Sequence, residues 1–173
     1  MKEKNGVRKV LAAIIALICL LLCSGCGILD GMSPQNQAEK NAIKFMEYQY
    51  EGNAQKFIDL MLDELVEEFI SSGGYKTEEV LVYAWEKELY NDIENYKDEY
   101  GKKWKYTISV IDSYEIESLE DFPDCKCMEV VLKIEHEGKK LIFFPKNGSE
   151  EIKIQLINKD DVWYVFGTSN INL

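Results

Sequence analysis

Met128-Glu129-Val130-Val131-Leu132-Lys133-Ile134-Glu135-His136 is the stretch that decides the fold. Alternate residues Met128, Val130, Leu132, Ile134 and His136 fall on one side, while Glu129, Lys133 and Glu135 fall on the other. A period of two with one apolar face is the pattern of a strand whose other face meets water. The same period runs upstream from Trp104 to Ile116, where Trp104, Tyr106, Ile108, Val110, Asp112, Tyr114 and Ile116 share a face and Ile111 breaks the alternation. Downstream, Gly138 reads as a turn before a short strand at Leu141–Phe144. Pro145 and Asn147-Gly148 then signal a hairpin. A strand at Glu151–Asn158, a turn at Asp160-Asp161 and a last strand at Val162–Gly167 complete an antiparallel series.

A sheet with one apolar face needs a cover, and the residues before it supply one. Ala38, Ala42, Phe45, Met46 and Gln49 recur at helical spacing within Pro34–Gly52. Phe57, Ile58, Met61, Leu65 and Phe69 do so within a second helix, Ala54–Ile70. Thr77 is the expected N-cap of a third helix, with Glu78 and Glu79 in its first turn and Gly101 at its end. The fold class is α+β: three N-terminal helices packed on one side of a curved antiparallel sheet.

The N-terminus has a different composition. Lys2, Lys4, Arg8 and Lys9 precede an uninterrupted apolar run, Val10–Leu22, and Cys23-Ser24-Gly25-Cys26 closes it with small residues. A basic start, a short apolar stretch and a small-residue cut site make an export signal. The run is short for a bilayer span, which takes about 20 apolar residues. Ser24-Gly25-Cys26 resembles the lipobox of bacterial lipoproteins, although Cys23 stands where that family usually has Leu, Val or Ile. The resemblance implies that Cys26 is acylated and becomes the first mature residue, a lipid anchor at the extracytoplasmic face of the cell membrane. The alternatives are an ordinary secretory signal with an incidental cysteine, or an uncleaved anchor. The expected organisation is a signal peptide over 1–25, the lipidated cysteine and a tether over 26–37, and one domain over 38–173.

Residues 1–25 hold four of the 20 basic side chains and one of the 31 acidic ones, so the mature chain carries about −14. That balance argues against nucleic acid or an anionic headgroup surface as partner, since both are bound by clustered Lys and Arg. Hydrophobic content of 46% with 12% aromatics is that of a globular domain, and its length suits a single core. After Cys26 only Cys125 and Cys127 remain, so this is not a disulfide scaffold.

Phe45-Met46, Ala54-Gln55-Lys56-Phe57-Ile58-Asp59-Leu60 and the terminal Asp160-Asp161-Val162-Trp163-Tyr164-Val165 give the domain a family likeness. Over about residues 36–168 it resembles an NTF2-like domain, a cone of three helices and a bent sheet. It is similar in particular to small envelope lipoproteins of Gram-positive bacteria that carry such a domain behind a lipobox. Many members of that superfamily bind or scaffold, and some are isomerases or dehydratases with an acid in the cone. The resemblance therefore leaves function open.

Asp112 is the carboxylate that alternation places on the apolar face. There, desolvation would raise its pKa toward that of a general acid or base, and Tyr106 and Tyr114 on the same face would donate to a bound oxyanion. The competing reading makes Asp112-Ser113 a bulge that returns Asp112 to water, and Ile111 on the wet face favours it. His136 is the single histidine, expected at the rim of a strand end, with an Asp112/His136 dyad depending on strand register. Cys125 and Cys127 point the same way in a strand but lack partners for zinc, and a disulfide between them would be strained. Asp59, Asp63 and Glu67 recur every four residues as a solvated helix face, without a calcium-loop pattern. No metal or cofactor is expected.

The leading expectation is a membrane-anchored module that binds an envelope protein or a small ligand without catalysis. The alternative is an isomerase- or lyase-type enzyme using Asp112 with Tyr106 or Tyr114. A third reading is an interaction protein whose cone is filled by its own side chains, Trp104 and Phe143 among them.

Overall fold

A computed structural model describes residues 34–141 and 144–169. The expected signal peptide, Cys26, most of the tether and Phe143 lie outside the described residues. Among the described residues four helices precede four strands: α1 Pro34–Glu51, α2 Ala54–Ile58, α3 Asp63–Ser72, α4 Glu78–Tyr100, β1 Lys105–Ile116, β2 Cys127–Leu141, β3 Phe144–Lys159 and β4 Val162–Ser169. The strands pair antiparallel in the order β1-β2-β3-β4, and register shifts in each pairing curve an open sheet. No described helix is long and apolar enough to cross a membrane.

The α+β class stands, with two corrections of detail. Helix α1 runs Pro34–Glu51, within the Pro34–Gly52 segment expected to be helical, and a proline's missing N–H is harmless in its first turn. The helix expected over Ala54–Ile70 is two helices. Between them Leu60 C=O accepts from Val165 N at 2.8 Å, and Leu62 N donates to Val165 C=O at 2.9 Å, so this segment pairs with the edge of β4 instead of with its own helix. Gly138 is not a turn and Leu141–Phe144 is not a separate strand: β2 runs through to Leu141, which pairs with Phe144, and Asn147 and Gly148 lie within β3 opposite Glu137 and His136.

The main core lies between the helices and one sheet face. Ala42, Phe45 and Met46 of α1, Phe57 of α2 and Leu81 of α4 meet Val130, Leu132 and Ile134 of β2, Ile154 and Leu156 of β3, and Val165 of β4, all essentially inaccessible. A smaller cluster sits on the opposite face, where Cys127 and Ile157 are covered by Leu62 and by Leu119 and Phe122 of the β1–β2 connection. The Asp160-Asp161 turn is as expected: both residues have positive φ (53° and 63°), the backbone a two-residue hairpin requires.

Candidate functional site

His136 ends the apolar row of β2, and its ring is 3% exposed. Trp104, in the connection from α4 to β1, donates its indole N–H to His136 Nδ1 at 3.2 Å. That bond leaves Nε2 to carry the proton of the neutral ring, and Nε2 lies 2.8 Å from Glu150 Oε1. The same carboxylate oxygen accepts from the Tyr50 hydroxyl at 3.0 Å and the Tyr96 hydroxyl at 3.5 Å. Around this polar pair the aromatic rings form a box. Tyr96 and Tyr100 stack on the imidazole at 4.9 and 5.2 Å, and Tyr50 meets it edge-on at 5.8 Å.

The hydrogen bond from His136, then those from the two tyrosines, hold the Glu150 carboxyl below the usual carboxylate range against the opposing effect of burial. Burial pushes the Tyr50 phenol far up and that of Tyr96 up to about 12, so both keep their protons and act as donors. With its donors facing an acceptor, the box is a satisfied polar network and leaves no idle base.

The box backs onto a groove of about 950 Å³ at the same end of the sheet. Lys97, Lys102 and Lys103 come from the last turn of α4 and the residues just after it, Lys105 from β1 and Lys139 from β2. Two carboxylates, Asp98 and Glu137, share the described lining. Lys97 is bonded to Glu94 at 2.7 Å. The groove exists because β2 crosses the end of α4 at Gly138, where a Cβ would stand 2.0 Å from the Tyr100 carbonyl oxygen.

Asp112 lies away from both features. The register shift between Val110 and Asp112 makes Ile111 the extra residue of a bulge, Ile111 is 51% exposed, and Asp112 is exposed beside it, its carboxylate accepting from Ser113 N at 2.9 Å. The placement of Asp112 on the apolar face is therefore corrected: the extra residue flips the alternation from that point on. Tyr114 is carried to the outer face with it and donates to Glu129, a carboxylate buried there. Gln155 at 3.1 Å and Lys153 at 2.9 Å complete that cluster. The Tyr114 bond first, and then Lys153, hold the Glu129 carboxyl below its ordinary range.

Tyr106 stays on the core side, half-buried against Tyr50 and directly opposite His136. Asp112 instead pairs with Val131, five residues from His136 along β2 and so about 16 Å away. No Asp112/His136 dyad forms. His136 is core and not rim, and its carboxylate is Glu150, which sequence reasoning missed. The available signal was Glu150 itself, an acid just before the apolar Ile152-Ile154-Leu156 row and on the same parity. Cys127 is buried and Cys125 half-buried, both free thiols. Asp59, Asp63 and Glu67 are exposed. Near Phe57 and Phe69 the core keeps a hollow of about 100 Å³, with no ionisable group among its described lining residues.

No protein-family model matches the chain, and neither does any curated protein.

Proposed function

We propose that this chain is a lipoprotein held by a lipid on Cys26 at the extracytoplasmic face of the cell membrane, and that its NTF2-like domain binds a ligand or an envelope partner without catalysing a reaction. The anchor rests on the basic, apolar and small-residue order of residues 1–26. The NTF2-like assignment is supported by helices followed by an open, curved antiparallel sheet with the helices on one face. One observation carries the non-catalytic reading: the packed inner face gives Asp112 no place, because the bulge leaves that carboxylate in water. A lysine-lined groove lies open at the far end of the same strand.

Two experiments test this. Metabolic labelling with a fatty acid marks the wild-type chain and fails on Cys26→Ala, and a labelled variant removes the anchor. For binding, the detergent-solubilised chain is cross-linked to envelope extract beside the double variant Lys105→Glu/Lys139→Glu. A component captured by the wild type and lost with the variant supports a binding module, while equal capture by both rejects the groove as its site. The isomerase or lyase alternative would need Asp112 at a substrate, and Asp112→Asn abolishing a turnover measured on envelope metabolites would restore it.

A further inference from the structure

We infer that the lysine groove between the end of α4 and β2 is a binding site for a compact, multivalent phosphate-bearing anion. The inference deepens the binding-module reading above and rests on it.

The ordinary explanation for lysines at this position is the α4 macrodipole, since cations near a helix C-terminus offset its partial negative charge. That accounts for Lys97 in the last turn and for Lys102 just beyond it. It does not account for Lys105 and Lys139, which are brought in by two different strands. Five lysines therefore line a single concavity, Lys97 among them already bonded to Glu94, against two carboxylates of the described lining, Asp98 and Glu137, the latter directly opposite Lys105. Among the described residues, Lys102, Lys103, Lys105 and Lys139 form no ion pair within 4.0 Å. Ammonium groups on flexible stems suit phosphate, which they meet as point charges, better than a planar carboxylate, for which arginine's fork is the better match.

The size of the ligand follows from the charge outside the groove. The mature chain carries about −14, so a long polyanion would be repelled wherever it left the lysines. Electrostatic interactions fade over about 8 Å at physiological ionic strength, so a compact anion seated in the groove feels mainly the lysines. A groove of about 950 Å³ is at the upper end of the range for small-molecule sites.

Within the domain, the groove lies far from the start of α1. Early in α1, Glu39 accepts from Ser113 Oγ at 2.5 Å, whereas Tyr50 in its last turn reaches Glu150. The chain thus enters the domain at the Ser113 end of β1, and the groove begins at Lys105, eight residues and about 26 Å along that strand.

The test is equilibrium dialysis of the full-length chain in neutral detergent with tripolyphosphate as the probe, at about 50 and about 200 mM salt. Wild type is expected to bind, more weakly at the higher salt. Lys105→Glu/Lys139→Glu should weaken binding about tenfold or more, and the exposed Lys87→Glu on α4 should leave it unchanged. Circular dichroism checks folding, and Lys105→Gln/Lys139→Gln serves if charge reversal unfolds the chain. No binding by wild type, or equal losses with Lys87→Glu, overturns the inference. So does binding confined to phosphatidylglycerol vesicles, which would make the membrane the source. If tripolyphosphate does not bind while an envelope component is still captured through the same lysines, the phosphate assignment falls and the binding module stands. If neither is captured, both fall.

Discussion

His136 Nε2 lies 2.8 Å from Glu150 Oε1 even though the two residues are not directly opposed. His136 pairs with Gly148 and Glu150 with Ile134, so the bond runs diagonally across two antiparallel strands on their buried face. Glu150→Ala would leave His136 Nε2–H, Tyr50 and Tyr96 without their shared acceptor. An orphaned buried donor costs about 1–3 kcal/mol. Because the Glu150 side chain is 38% exposed, solvent takes up part of that loss, and the expected destabilisation is about 1–2 kcal/mol. Urea unfolding of Glu150→Ala beside Glu150→Gln measures it. The glutamine, which keeps one acceptor oxygen, should lose less, and equal losses would mean that the three donors do not depend on that oxygen.

Glu150 and Glu129 are expected to contribute to the acid limit of the fold. Both carboxyls are held below the ordinary range, Glu150 chiefly by His136 and Glu129 chiefly by Tyr114. A carboxyl whose pKa is lower folded than unfolded stabilises the fold fully above its unfolded pKa, about 4.3, and loses that contribution as pH falls through the folded value. Unfolding free energy should therefore decline from about pH 5 downward. Glu150→Gln and Glu129→Gln should each start lower at pH 7 and show a shallower acid decline. A decline unchanged in both variants would assign the acid limit to other groups.

The diagonal explains why the site was harder to read than the fold. Alternation over Met128–His136 depends only on neighbouring residues, so the strand, its buried face and the helical cover were legible, as was the Asp160-Asp161 turn. Pairing His136 with Glu150 needs the hairpin register. The local signals at Gly138 and Asn147-Gly148 pointed to turns there, whereas glycine serves those positions because Tyr100 packs against both. The break between α2 and α3 was hidden for a related reason. Its cause is Val165, about a hundred residues away in sequence. The lysine groove was invisible to a count of net charge, since its five contributors are spread from residue 97 to residue 139 within an acidic chain.

Asp112 supplies a contrasting prediction. It is exposed at the Ile111 bulge, and its carboxylate contacts the next residue's backbone N–H. Asp112→Asn keeps an acceptor in the same place, so stability should stay within about 0.5 kcal/mol of wild type, as for other surface changes. Thermal unfolding checks this. A loss of several degrees would mean that Asp112 is held in a way its exposure does not suggest.

The two domain cysteines should differ sharply in reactivity. Cys127 is inaccessible between Leu62 and Ile157, and burial pushes its thiol pKa up, so little reactive thiolate forms. Cys125 is half-buried at the end of the β1–β2 connection. Pulse alkylation followed by peptide mapping should mark Cys125 in the native protein and Cys127 only as the chain unfolds. Comparable native labelling of both would show that the 117–126 connection opens readily from the sheet.

Gly138 and Gly148 both approach Tyr100, and the difference between those contacts makes a sharper test. A Cβ at Gly138 would come within 2.0 Å of the Tyr100 carbonyl oxygen, part of the backbone at the last residue of α4. A Cβ at Gly148 would come within 2.3 Å of the Tyr100 hydroxyl, the far end of a rotatable side chain. The first clash is relieved only by moving the helix end off β2, while a shift of one ring relieves the second. Gly138→Ala should therefore destabilise by about 3 kcal/mol or more, and Gly148→Ala by about 1 kcal/mol. The groove adds a readout that a general loss of packing does not. Moving the end of α4 separates Lys102 and Lys103 from Lys139, so folded Gly138→Ala should lose tripolyphosphate affinity at low temperature while Gly148→Ala retains it. Equal effects of the two substitutions on stability and binding would show that the α4–β2 crossing is not what sets the spacing of the lysines.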